Sequence, residues 1–170
     1  VERSRGLGDV YKRQGYYMRL NQRGGVQDYY LYGNRLNFTD LQSYKSWFER
    51  VKGYTQNVRN SLEINKEGLE LGYTQPKLVT RGVSAQIGAM LEKDLEDHPY
   101  FKIFKNVGDV ASSEDTLALQ NEVKEYIQNV LNPTYQELYD FLVNEYLPES
   151  RDTIGTVSYT HLTLPTIYSV

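Results

Sequence analysis

An all-α fold of long antiparallel helices follows from three features of this 170-residue sequence. Apolar residues recur at three- and four-residue steps over long stretches, the spacing that lines one face of a helix. Helix start and stop signals bracket those stretches. No convincing strand, no fixed-period repeat and no long low-complexity linker interrupts them.

Gly15 to Phe38 is rich in Gly, Asn and Tyr, with turn signals at Gly24-Gly25 and Gly33-Asn34. Val26, Tyr29 and Tyr30 fit at most one short helical turn there. The first long helix then starts at Thr39, a good N-cap with Gln42 in capping-box position. Leu41, Tyr44, Trp47, Phe48, Val51, Tyr54, Val58 and Leu62 share its apolar face, and Gly72 marks its end.

Pro76 suits the start of a second helix with Leu78, Val79, Val83, Ile87, Met90, Leu91 and Leu95 on its face. Gly82 and Gly88 either permit close helix approach or are simply tolerated. His98-Pro99 ends that segment, because the residue before proline is pushed away from helical geometry. Tyr100, Phe101, Ile103, Phe104 and Val107 form an apolar cluster on a short turn or helix. Ser113, followed by Glu114 and Asp115, opens another helix with acids at its positive end. Leu117, Leu119, Val123, Tyr126, Ile127 and Val130 continue it. Pro133 either kinks that helix or begins a new one. Tyr135, Leu138, Phe141, Leu142 and Tyr146 carry the stripe to Pro148.

The two ends read differently. Asp9-Val10-Tyr11-Lys12-Arg13-Gln14 can be encoded by GATGTGTATAAGAGACAG, and one frame of the reverse complement of that string gives Val157-Ser158-Tyr159-Thr160-His161 and the start of a Leu codon, as at Leu162. The pattern is that of one DNA element at both ends in opposite orientations. It is similar to the transposon-derived adapter used in sequencing libraries, and the flanking Ser4 to Gly8 and Thr163 to Thr166 resemble its two tails. Such segments are set aside before fold reasoning. The expectation is an adapter artefact at residues 1–14 and at 156–170, enclosing a helical fragment at 15–155 that is an incomplete part of a larger helical domain.

Setting those ends aside leaves 15 basic and 20 acidic residues of the original 19 and 22. The acidic balance argues against a nucleic-acid or anionic-membrane surface. There is no cysteine, so disulfides, thiolate metal sites and a Cys nucleophile are excluded. No apolar run approaches the roughly 20 residues of a membrane span.

No residue pattern reaches a catalytic, cofactor-binding or metal-ligating assignment. His161 falls in the adapter-like tail. His98 stands alone near Glu96 and Asp97, whereas a metal needs converging ligands; the plainer reading is a helix-end histidine beside acids. Glu92 and Glu96 share a helix face as an acid–base pair might, but Lys93 and its polar neighbours favour a solvated face. Glu145 and Glu149 are interrupted by Pro148, and neither pair has the specificity of glycosidase chemistry. Gly6-Leu7-Gly8 is adapter-like, and Gly24-Gly25 lacks the Lys-Ser/Thr of a phosphate loop. No nucleophile elbow occurs. The tyrosines (Tyr29, Tyr30, Tyr32, Tyr44, Tyr54, Tyr126, Tyr135, Tyr139, Tyr146) line either a substrate groove or, more commonly, the core and its edge. Trp47 lies squarely on the first helix stripe and reads as core.

The order Asn37-Phe38-Thr39-Asp40-Leu41-Gln42-Ser43-Tyr44, then Glu67-Gly68-Leu69-Glu70-Leu71-Gly72-Tyr73-Thr74-Gln75-Pro76, then Val130-Leu131-Asn132-Pro133-Thr134-Tyr135, Glu145-Tyr146-Leu147-Pro148-Glu149-Ser150-Arg151 and Ile154-Gly155 resembles a large bacterial family long catalogued as a domain of unknown function. Its members look like zincin-type metallopeptidases and are often exported or lipid-anchored. The resemblance covers nearly all of residues 15–155 but rests on helix-boundary patterns rather than a catalytic signature. It implies a zinc-dependent parent enzyme acting on peptides, in a periplasmic or other extracytoplasmic setting. The family's His-Glu-led metal motif would fall beyond Gly155. No His-Glu pair occurs in this chain, so the zinc ligands and general base map to no residue here.

The resulting expectation is a helical scaffold fragment of a zinc peptidase, inactive by itself and without a cofactor of its own, forming a wall of the substrate cleft. The alternatives are a non-enzymatic helical module that binds peptides or glycans and a purely structural helical domain. Apolar faces left exposed by a missing half would favour self-association.

Overall fold

The computed structural model describes residues 15–153. The adapter-like segments at 1–14 and 156–170, with His161, and the Ile154-Gly155 pair lie outside the described residues. The named α-helical segments are α1 Tyr30–Gly33, α2 Leu41–Glu70, α3 Lys77–Leu91, α4 Pro99–Lys102, α5 Ser113–Tyr126, α6 Asn132–Phe141 and α7 Leu147–Glu149. Tighter 3-10 turns occupy Val26–Asp28, Leu95–Asp97 and Ile103–Asp109. The fold is all-α, with one isolated parallel bridge between Pro76 and Arg151 as its sole extended pairing among the described residues.

Helix α2 begins one residue later than Thr39 would have it. Asp40 is the cap: its backbone is extended, its Oδ1 accepts from the Ser43 N–H at 2.7 Å, and Ser43 closes the reciprocal half of the box. A carboxylate is the better acceptor at the positive end of a 30-residue helix. At the other end Gly72 takes φ +77. Its N–H bonds the Leu69 carbonyl and the Tyr73 N–H reaches Gly68, the paired bonds of a Schellman cap. The chain reverses there and enters α3 after Pro76, which caps the helix from outside.

Helix α3 buries Thr80, Val83, Ser84, Ile87 and Met90. Leu78, expected on that face, is 62 % exposed, and Leu95 lies beyond the helix in a 3-10 turn. The small polar Thr80 takes the inward position because its hydroxyl meets that of Ser150 at 3.0 Å, fastening the start of α3 to the end of α7.

From Ser113 to Glu149 the chain is one helical rod with two π turns, Ile127–Leu131 and Leu142–Tyr146. Its cap is Ser112, one residue before the expected Ser113, and its Oγ accepts from the Asp115 N–H at 3.1 Å. Each π turn ends shortly before a proline, Pro133 and Pro148. A proline inside an α-helix has no N–H to donate, and its ring clashes with the carbonyl four residues back. A wider turn ahead of it accommodates both problems. Pro133 stands in the first turn of α6, as one of the two readings has it, and because the flanking residues stay right-handed helical the rod continues through it. Leu117, assigned above to the apolar stripe, is 61 % exposed, because the inward face near the start is set by Leu119 and Val123.

Cross-contacts give the topology. Lys52, Thr55 and Arg59 of α2 meet Glu122, Tyr126 and Thr134 of the rod in the same order, so those two run parallel. Thr80 and Gly88 of α3 meet Ser150 and Tyr139 in reverse order. The long elements thus run up, down and up, each antiparallel to the next. The core between them includes Trp47, Phe48, Val58, Val83, Ile87, Leu131, Leu138 and Leu142, closed at one end by Tyr100, Phe101, Phe104 and Val107. Burying each such side chain contributes about 1.5–3 kcal/mol before conformational entropy is subtracted.

Candidate peptide-binding groove

The N-terminal stretch crosses α2 and is tied down along its length. Tyr17 donates to Glu67 at 2.9 Å and stacks on Tyr73 at 5.6 Å. Gly68 makes that crossing close: a Cβ there would sit 3.0 Å from the Tyr17 carbonyl oxygen. Gln75 donates to the Met18 and Leu20 carbonyls, and Gln22 donates to that of Leu78. The chain then turns at Gly24, with φ +74, where the Asp28 carboxylate accepts from the Gly24 N–H at 2.8 Å.

This crossing leaves an open groove of about 610 Å³ between Tyr16–Val26 and the outer face of α2. Its α2 wall is Tyr54, Asn57, Asn60, Ser61 and Ile64, spaced to share one helix face. Its other wall carries Tyr16 and Arg19, whose guanidinium lies 5.0 Å from the Tyr16 ring centre. The lining mixes amide, hydroxyl and aromatic groups with the aliphatic Val26 and Ile64, and holds one cation and no carboxylate. The Asn60 carbonyl oxygen accepts from Gln56 at 3.0 Å, leaving its amino group for a ligand. Tyr54 stacks flat on Tyr29 at 3.6 Å. Burial, then the neighbouring Tyr29, Tyr32 and Asp28, push its phenol up to about 12, so it stays a neutral hydroxyl.

A smaller pocket of about 250 Å³, lined by Arg23, Gly24, Asp28, Leu31, Tyr32 and Arg35, shares Gly24 with the groove. A cleft of about 260 Å³ beside Phe48 and Lys52 is a poorer site. The Lys52 ammonium is already held at 2.9 Å by both Glu49 and Glu122 and lies over the Phe48 ring. Burial works against its charge, but those two carboxylates more than offset it and hold the ammonium above its ordinary range.

The residues singled out from sequence fall as follows. His98 does stand at a helix end, between the Leu95–Asp97 turn and α4, but it is fully buried with its ring 5.9 Å from that of Tyr100 rather than solvated beside acids. Burial pushes its imidazole down to about 4, against a smaller opposing pull from Asn132. Neither ring nitrogen has a well-formed hydrogen bond. Glu92 and Glu96 do not share a helix face: α3 ends at Leu91, and Glu96 sits in a 3-10 turn where it pairs with Lys124 and Lys105. Glu145 and Glu149 lie exposed around the second π turn. Of the tyrosines, Tyr44, Tyr135 and Tyr146 are core, Tyr29, Tyr30, Tyr126 and Tyr139 are half-buried, Tyr54 lines the groove and Tyr32 the smaller pocket. Trp47 is core, 2 % exposed.

Zinc does not fit the described residues. They contain no group of three or more His, Cys, Asp or Glu side chains able to hold a metal, and His98 faces an aromatic ring and an amide rather than carboxylates. No described helix is long and apolar enough to cross a membrane.

An all-α, three-rod domain with a polar groove on its outer face is thereby defined. The chain belongs to the family described as bacterial protein of unknown function (DUF885), whose profile matches residues 5–165. No curated protein and no solved structure matches it.

Proposed function

We propose that this chain provides one wall of a peptide-binding cleft in a larger zinc-dependent peptidase and carries no part of the metal site. The supporting observation is the groove over α2. The Asn57 amide and the Asn60 amino group offer hydrogen-bonding groups of the kind that satisfy an extended peptide backbone, Tyr54 and Tyr16 flank them, and no carboxylate lines the groove. The peptidase part of the reading rests on the family resemblance, and hydrolysis is assigned to residues outside this stretch.

The same amide-and-tyrosine lining supports a second reading, a non-catalytic module that retains a peptide or glycan. Titration of dye-labelled unstructured peptides, followed by anisotropy, tests the groove. Binding that Asn57→Ala/Asn60→Ala weakens by about tenfold, from the loss of two or more hydrogen bonds, is expected. Unchanged affinity in that variant rejects the groove. Zinc-dependent cleavage by a longer version of the protein then separates peptidase from module.

A further inference from the structure

The exposed face around the Gly24 turn differs in charge from the rest of the molecule. Residues 15–36 hold three arginines, Arg19, Arg23 and Arg35, against the single acid Asp28, whereas the whole chain carries −3. Arg23 and Arg35 line the same small pocket from opposite sides of the turn, one before Val26–Asp28 and one after α1. Among the described residues neither guanidinium has an ion-pair partner. Asp28, which lines the pocket with them, has Oδ2 engaged by the Gly24 N–H. Leu31 and Tyr32 complete the lining and are 40 % and 58 % exposed.

We infer that this pocket is an anion subsite that takes the carboxylate side chain of an acidic residue in a peptide lying along the adjoining groove. The placement of the peptide backbone rests on the groove reading above. Two always-charged, planar guanidiniums suit bidentate capture of a carboxylate. Gly24 belongs to both pocket and groove, so a side chain can reach one while its backbone occupies the other. The acidic balance elsewhere on the chain repels such a peptide from other faces, which adds selectivity.

The test uses two dye-labelled peptides identical except for one central Glu or Gln, titrated by anisotropy against the whole chain. The Glu peptide is expected to bind about tenfold more tightly, as a charge-assisted bidentate contact provides. Arg23→Gln/Arg35→Gln is expected to abolish that advantage while leaving the Gln peptide's affinity unchanged. Equal affinity for the two peptides overturns the subsite and leaves the groove standing. A Glu preference retained in Asn57→Ala/Asn60→Ala, with neither peptide's affinity lowered, keeps the subsite and removes the groove. No binding of either peptide overturns both.

Discussion

The hydroxyls of Tyr100 and Tyr135 meet at 2.8 Å inside the protein, and Tyr135 also contacts the Val26 carbonyl at 2.7 Å. The direction of this relay is fixed by its last member. A carbonyl only accepts, so the single phenolic hydrogen of Tyr135 goes to Val26, and Tyr100 must donate to Tyr135. Three segments distant in sequence are joined, and one of them, Val26, lines the groove.

The relay predicts unequal costs for two similar substitutions. Tyr135→Phe leaves both the Tyr100 hydroxyl and the Val26 carbonyl short of a partner and should cost about 2–4 kcal/mol. Tyr100→Phe keeps the bond to Val26 and should cost about 1 kcal/mol. Urea denaturation of both variants checks the order; equal losses would reject the relay.

Gly33 and Gly53 make an opposed pair. A Cβ at Gly33 would press into the rigid Trp47 ring, 2.6 Å from Cζ2, and into Ile103, so Gly33→Ala should cost about 1–3 kcal/mol and perturb Trp47 fluorescence. At Gly53, inside α2, a Cβ would meet nothing within 4 Å. Gly53→Ala should stabilise by about 0.5–1 kcal/mol through helix propensity. Thermal melts read both signs.

His98 predicts an acid-sensitive fold. Its imidazole titrates near 6.5 when unfolded and is pushed down to about 4 when buried. The unfolded chain binds the proton first, so this contribution is complete above pH 6.5 and is lost as pH falls from there through 4. At roughly 1.4 kcal/mol per unit the loss amounts to about 3 kcal/mol. Denaturation midpoints at pH 7, 5.5 and 4 should fall in that order, and the fall should be smaller in a His98→Gln variant. Equal slopes in the two proteins would reject a neutral buried His98.

Much of the architecture was legible from periodicity, and its failures have physical causes. The α2 stripe from Tyr44 to Leu62 and the Gly72 stop stand as read, because local propensity and tertiary packing agree there. The caps at Asp40 and Ser112 each differ from the reading by one residue, since several adjacent residues can cap and the winner depends on backbone geometry. Leu78 and Leu117 satisfied the helical period yet point outward, because the inward arc is set by neighbours that one helix cannot reveal. The π turns had a partial signal in Pro133 and Pro148, but how a proline is accommodated depends on whether the flanking faces are already packed. The groove was least legible. Tyr54 was weighed as a groove residue, whereas Arg19, Asn57 and Asn60 were not, because the groove exists only where a distant segment crosses α2. The uncharged run Asn57, Asn60 and Ser61 on an otherwise charged helix surface was the signal available.

Among the described residues the core runs from Leu20 to Tyr146. On the adapter reading of the ends, removing residues 1–14 and 156–170 is expected to leave helical circular dichroism and the melting midpoint essentially unchanged. A large loss of helicity would show that those ends are structural and would reject the adapter reading.

The most direct test of the account is amide chemical-shift mapping of the isotope-labelled chain during titration with an unstructured peptide. Saturable shifts concentrated at residues 16–26 and 54–64, the two walls of the groove, are expected. Shifts centred instead on the cleft beside Lys52 and Glu122, or no saturable shifts at millimolar peptide, would contradict it.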